Sequence, residues 1–204
     1  MPDASILKAI AHCALFVIAV INPVSKIAVL SVLAERNAVR ELRRVSLRAS
    51  VIAAIMLLPF ALFGSALLTK VFHVDIHSFQ ICGGLVLIYR GLLAVNKGFF
   101  FESDPRQSLD DMSVVPLASP LIAGPAAITA SVTLPVTFGT PVTLVAIVAA
   151  LAVNYGVMFF SASLSAYLDR HHLLGALIRI TGLIVSSIGI QMVLDGLTAY
   201  LASV

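Results

Sequence analysis

Three observations on the sequence predict an all-α integral membrane fold. The chain of 204 residues is 60% hydrophobic and only 11% charged, with a mean hydropathy of +1.06. A soluble domain carries about 25% charged residues, so this chain could not cover its surface in water. Apolar runs near the ~20 residues needed to cross a bilayer recur six times along it. The first and fourth runs are interrupted at Asn22-Pro23 and Gly124-Pro125. Proline removes a backbone donor, and lipid offers no water to replace it, so a helix broken there lines a cavity or packs on protein. The expected architecture is six transmembrane helices in two inverted three-helix repeats, with broken first and fourth helices.

The first apolar run covers residues 5–33. At 1.5 Å per residue it exceeds the ~30 Å hydrocarbon layer, so it must tilt, break or re-enter, and Asn22-Pro23 is the natural break. Residues 10–21 could pass for a secretory signal, but Asp3 offsets Lys8 and no small-x-small site follows, so a retained first span is expected. A polar amphipathic stretch at 34–48 carries Arg36, Arg40, Arg43, Arg44 and Arg48. The second span is expected at 45–68 with Pro59 as a kink, and the third at 78–95 after a polar turn at 69–77. Residues 96–113 form the longest loop. The fourth span is expected at 114–134, with Pro135, Gly139 and Pro141 marking a turn. The fifth is expected at 142–167 and the sixth at 173–197, separated by the polar corner Asp169-Arg-His-His172. The chain 1–204 thus reads as one transmembrane domain: repeat 1 at 1–95, the loop, and repeat 2 at 114–204.

Lys and Arg set the orientation. With Arg36–Arg48 inside, the inner side also receives Lys97, Arg106 and Arg170, and the outer side keeps only Lys8 and Lys70. Both termini are then on the outer side. Arg90 and Arg179 fall near the inner ends of their spans, where they can snorkel. The net charge of +3 follows from these loops and not from nucleic-acid binding. Cys13 and Cys82 lie in apolar runs and form no metal or disulfide pattern.

The halves echo each other. Asn22-Pro23 precedes Gly124-Pro125 by 102 residues, and Ile81-Cys-Gly83 precedes Ile180-Thr-Gly182 by 99. Three spans per half is an odd number, so the second half enters the membrane inverted. Inverted repeats recur in secondary transporters, whose sites lie between paired discontinuous helices.

The candidate binding residues gather around the breaks. Each break exposes carbonyls at one half-helix end and N–H groups at the other, complementary to an ammonium and a carboxylate. Gly124 and Pro125 form one break, which could equally be a plain kink. Asn22, Pro23, Ser25 and Lys26 form the other. Lys26 either faces a cavity, as intramembrane charges do, or snorkels at the inner boundary. Asn22 either binds ligand or caps the following half-helix. Ser119 and Thr129 offer hydroxyls, or serve close helix packing. Gln191 and Asp195 share a face of the last span. Asp195 is a candidate for coupling to a proton or Na+, or else an interfacial residue. The sequence shows no HExxH, no Gly-rich phosphate loop and no Gly-x-Ser-x-Gly elbow, so neither an enzyme nor a cofactor is expected. Expected partners are a small-molecule substrate and the lipid bilayer, and a homo-oligomer is compatible with this reading.

Val115-Pro-Leu-Ala-Ser-Pro-Leu-Ile-Ala-Gly-Pro-Ala-Ala-Ile-Thr129 resembles the fourth-span signature of the MarC family of bacterial inner-membrane proteins. Residues 179–197 resemble that family's last span, and Ile81-Cys-Gly-Gly-Leu-Val-Leu-Ile-Tyr-Arg-Gly91 its third. The resemblance implies about six spans and a relation to LysE-type small-molecule transporters, some members being described as neutral amino acid transporters. The expected function is secondary transport of a small polar metabolite, a neutral amino acid first. The alternative is a non-transporting protein that binds lipid or a partner. The first signature departs from the family pattern. Val24-Ser25-Lys26-Ile27-Ala28 lacks the usual Gly and second Pro, and Ala126 stands where Gly is common.

Overall fold

The computed structural model describes residues 2–34, 39–99, 117–118, 121–170 and 173–203. Every regular element among them is a helix. The elements are α1 (Pro2–Ile21), α2 (Pro23–Ala34), α3 (Val39–Ala66), α4 (Ile76–Lys97), α5 (Pro125–Phe138), α6 (Thr140–Phe159), α7 (Ser161–Arg170) and α8 (Leu174–Ser203). A π-helical turn, Leu67–Val71, extends α3. The six apolar runs become five helices long and apolar enough to cross a membrane, plus the shorter apolar α5.

Several boundaries differ from the sequence expectation. The arginine stretch is no separate segment: Arg40, Arg43, Arg44 and Arg48 ride on the opening turns of α3. With its π turn, that element covers 33 residues, about 50 Å, so its basic end projects beyond the hydrocarbon. In the fourth run, residues 117–118 and 121–122 are π-helical, and the α-helix starts at Pro125 and continues through Pro135 to Phe138. At 14 residues, or about 21 Å, α5 is too short to span alone. Its corner is Gly139, at φ 82°, which a side chain would strain. The fifth run divides at Phe160 into α6 and α7, where Ser161, Ser163 and Ser165 offer weak helix propensity.

The outer surfaces are apolar: Leu15, Ile55, Phe63, Leu85, Val148 and Leu183 are each at least half exposed. That arrangement suits lipid contact and would be unfavourable in water. Inside, small residues let helices approach closely. α4 and α8 run antiparallel on a seam of glycines. A Cβ on Gly84 would lie 2.6 Å from the Gly189 carbonyl oxygen, and one on Gly91 would lie 2.4 Å from that of Gly182. Gly84 and Gly91 are seven apart, as are Gly182 and Gly189, which is the spacing of a helix seam. α4 belongs to the first half of the chain and α8 to the second. α3 likewise packs on α6, and α5 packs against α3 and α4 while α2 packs against α6, α7 and α8.

Candidate functional site

Both breaks open onto one cavity. It has a volume of about 60 Å³ and is lined by Val20, Ile21, Asn22 and Ser25 from one half and by Leu121, Ile122, Gly124, Pro125, Ala126 and Ala127 from the other. Val86, Leu87 and Arg90 of α4 and Val185 of α8 complete the wall. Residues about a hundred apart in sequence therefore share one surface.

The first break is made by Asn22, whose φ of 54° is left-handed. Asn accepts that conformation more readily than other side chains. Its N–H donates to the Ile18 carbonyl at 2.8 Å, ending α1, and Pro23 opens α2 half-buried. The second break is made by Gly124 in extended backbone and Pro125 at the start of α5.

Each break leaves carbonyls without their usual helical donors. Pro125 has no N–H, so the Leu121 carbonyl four residues earlier loses its partner. The N–H of Ser25 bonds to Asn22, at 3.2 Å, leaving the Ile21 carbonyl free. One side chain serves both. Lys26 is fully buried, and its Nζ donates to the carbonyls of Leu121 at 2.7 Å, Asn22 at 3.2 Å and Ile21. Ser25 Oγ donates to the Asn22 carbonyl at 2.7 Å.

The N-terminal end of α5 is the opposite case. Gly124 supplies no side-chain cap. Ala126 and Ala127 lie in the first turn, where an α-helix has no carbonyl partners for its N–H groups, and both line the cavity. The Asn22 Nδ2 is buried without a hydrogen-bond partner. Arg90 of α4 also lines the wall, and among the described residues no Asp or Glu does.

The remaining sequence candidates fall elsewhere. Lys26 does not line the cavity; its ammonium lies behind the wall and ties the two breaks together. Thr129 sits one turn below Pro125, donating to the Pro125 carbonyl at 2.9 Å and abutting Gly83. Gln191 and Asp195 are joined at 2.7 Å and line a second, larger cavity of about 430 Å³ with His12, His77, Gln80 and Phe138. Ser119 lies outside the described residues, as does most of the 96–113 loop. Sequence reasoning placed Arg90 at a membrane boundary and overlooked Ala126 and Ala127. A signal for the alanines was present, because their N–H groups follow a proline-opened helix.

The two cavities follow one crevice. Both are lined by α1, α4, α5 and α8. On α4 the step from Gln80 to Val86 is about 9 Å. Between them α4 and α5 touch at Gly83, where a Cβ would lie 2.4 Å from Thr129 Oγ1.

The family described as "MarC family integral membrane protein" matches residues 7–201. A UPF0056 membrane protein of Pyrococcus horikoshii is 35% identical over 190 residues, covering 93% of this chain and 94% of its own. One from Methanocaldococcus jannaschii is 30% identical, covering 89% and 92%, and one from Bacillus subtilis is 26% identical, covering 92% and 93%. No solved structure matches.

Proposed function

This chain belongs to the MarC family of integral membrane proteins, and from that premise we propose that it is a secondary transporter of a small, carboxylate-bearing polar metabolite. One observation carries the reading: two helix breaks from opposite halves meet at a single cavity lined by Asn22 and by the uncapped start of α5. Discontinuous helices of paired repeats hold substrate in this way in transporters, with half-helix N-termini aimed at a carboxylate. A neutral amino acid would present its carboxylate to Ala126, Ala127 and Asn22.

In the proposed cycle, substrate enters the wide cavity beside Asp195, His12 and His77. It passes the Gly83–Thr129 waist and settles at the breaks. Closing that waist and opening the Arg-bearing side completes alternating access, with one half rocking against the other. The Lys and Arg distribution puts the wide cavity on the periplasmic side, in a bacterial inner membrane with both termini outside. The cavity at the breaks, about 60 Å³, is too small for an acyl chain, so a lipid-binding role in the interior would have to use the wider cavity of about 430 Å³.

Purified protein in liposomes, offered labelled alanine, glycine, lactate and propionate, tests the reading. Uptake of at least one, abolished in Gly124→Leu, is expected. No uptake or counterflow of any small carboxylate under an imposed ion or potential gradient would overturn it.

A further inference from the structure

α3 carries a basic end at the level of lipid headgroups. Residues 49–69 hold no charged side chain, and Arg48 and Lys70 bracket them. At 1.5 Å per residue that stretch is about 31 Å long, the thickness of the hydrocarbon layer. Arg44 and Arg43 lie about one turn beyond Arg48, roughly 6–8 Å further along the axis, and the headgroup region is itself roughly 5–8 Å deep. Arg40 lies one turn further out, where a long side chain can reach back.

These arginines line a pocket. It has a volume of about 550 Å³ and is walled by Arg40, Glu41, Arg43, Arg44 and Leu47 of α3 and by Tyr155 of α6. Arg43 is held in place, its guanidinium carbon 4.0 Å from the centroid of the Phe159 ring on α6. Stacking covers one flat face of a guanidinium and leaves the N–H groups along its edge to bind a phosphate with two parallel bonds. Among the described residues Glu41 is the one carboxylate on the wall, against three arginines. Beside the pocket the surface turns apolar. Leu47, Val51 and Ile55 follow Arg44 by three, seven and eleven residues, so they continue its face of the helix. Each is about half exposed or more. Val148, seven residues before Tyr155 and also exposed, does the same on α6. The pocket therefore stands at the head of an apolar track between two packed helices.

We propose that this pocket binds an anionic phospholipid, with its phosphodiester on Arg43 and Arg44 and an acyl chain along Leu47, Val51 and Ile55. A negative head joined to an apolar tail matches both features. A free phosphate would leave the track unused, and a zwitterionic lipid brings no net charge to three arginines. Basic pockets between membrane helices bind anionic headgroups in this way. The wall combines α3 of the first half with α6 of the second, so the bound lipid touches both. The pocket shares no lining residue with the cavity at the breaks, and the proposal stands apart from what the chain transports.

The chain contains no tryptophan, so a single introduced one reports on its own surroundings. Leu47→Trp places it in the pocket wall. Leu92→Trp places it at an exposed position on α4, five residues from Lys97 and outside the pocket. α4 returns from the Leu67–Val71 turn, so its Lys97 end lies at the same membrane face as Arg44. Each full-length variant is reconstituted in phosphatidylcholine vesicles containing increasing brominated phosphatidylglycerol, whose bromine quenches tryptophan fluorescence. The quenching gives the relative binding of the two lipids at each position. At Leu47→Trp a preference for phosphatidylglycerol of about fivefold or more is expected, equivalent to the ~1 kcal/mol that one basic residue near the surface contributes. At Leu92→Trp the two lipids should bind about equally. Adding Arg43→Gln with Arg44→Gln to Leu47→Trp should remove the preference, and adding Phe159→Leu, which takes away the ring under Arg43, should lower it about twofold. Glycerol 3-phosphate in the buffer should not relieve the quenching. No preference at Leu47→Trp, an equal preference at Leu92→Trp, a preference that survives in the double arginine variant, or displacement by glycerol 3-phosphate overturns the proposal. If the double variant does not fold, the difference between the two tryptophan positions decides alone.

Discussion

Gly91→Ala is the sharpest test of how the two halves are joined. The added Cβ would lie 2.1 Å from Ser186 Oγ, 2.4 Å from the Gly182 carbonyl oxygen and 2.7 Å from the Ser186 nitrogen. The hydroxyl can rotate away, but the two backbone atoms can move only if α8 moves. Inserting a methyl group into a packed interior costs about 1–3 kcal/mol, and the main-chain contacts put this case at the upper end. The matched control is Gly156→Ala on α6, where a Cβ would meet nothing within 4 Å. There the gain in helix propensity is up to about 1 kcal/mol. For a chain of this length a kcal/mol shifts the midpoint by roughly 2–4 °C. Gly91→Ala is therefore expected to unfold roughly 6–12 °C below wild type, and Gly156→Ala at or slightly above it. Buried Cys13 is a built-in reporter, since a thiol-reactive dye reaches it only on unfolding, once exposed Cys82 is replaced by Ser. A Gly91→Ala midpoint equal to wild type would refute the close α4–α8 seam.

Three further outcomes are expected. Asn22→Gly keeps the left-handed backbone and removes the side chain, so the midpoint should hold within about 1 kcal/mol while carboxylate binding is lost; Asn22→Val should unfold at markedly lower temperature, because a β-branched residue resists φ 54°. Gly83→Ala places a Cβ against Thr129 and should slow uptake about fivefold or more, equivalent to ~1 kcal/mol, with binding unchanged in detergent; adding Thr129→Ala, which removes the nearest atom, should restore part of the rate. Arg44→Cys and His73→Cys, each at an exposed position in a Cys82→Ser background where the remaining Cys13 is buried, should label from opposite sides of intact cells, His73→Cys from outside. Labelling of both from one side would invalidate the orientation read from Lys and Arg.

Hydrophobic run lengths carried the helices, since bilayer thickness alone fixes the number of apolar residues a span needs. The two breaks were also legible, because proline's missing N–H acts locally and shows in the sequence as Asn22-Pro23 and Gly124-Pro125. What the local pattern could not carry was direction. Lys26 stands beside a break in sequence, which fits either a cavity-facing or a snorkelling side chain, whereas its Nζ reaches Leu121, 95 positions away. No periodicity reveals a partner at that separation. Asp195 and Gln191 looked like members of the same site and lie in the other cavity, since depth along α8 is unknowable until its partner helix is placed. The division at Phe160 and the continuation of α5 past Pro135 were missed because a single turn residue or proline tips a helix only through its packing.

Lys26 belongs to the first half of the chain, and the Leu121 carbonyl that it reaches belongs to the second. Its other two acceptors, Ile21 and Asn22, are on its own side of the cavity. One side chain therefore fixes the distance between the two breaks. Any motion that draws them apart must break the Lys26–Leu121 bond, so the width of the cavity and that single hydrogen bond change together.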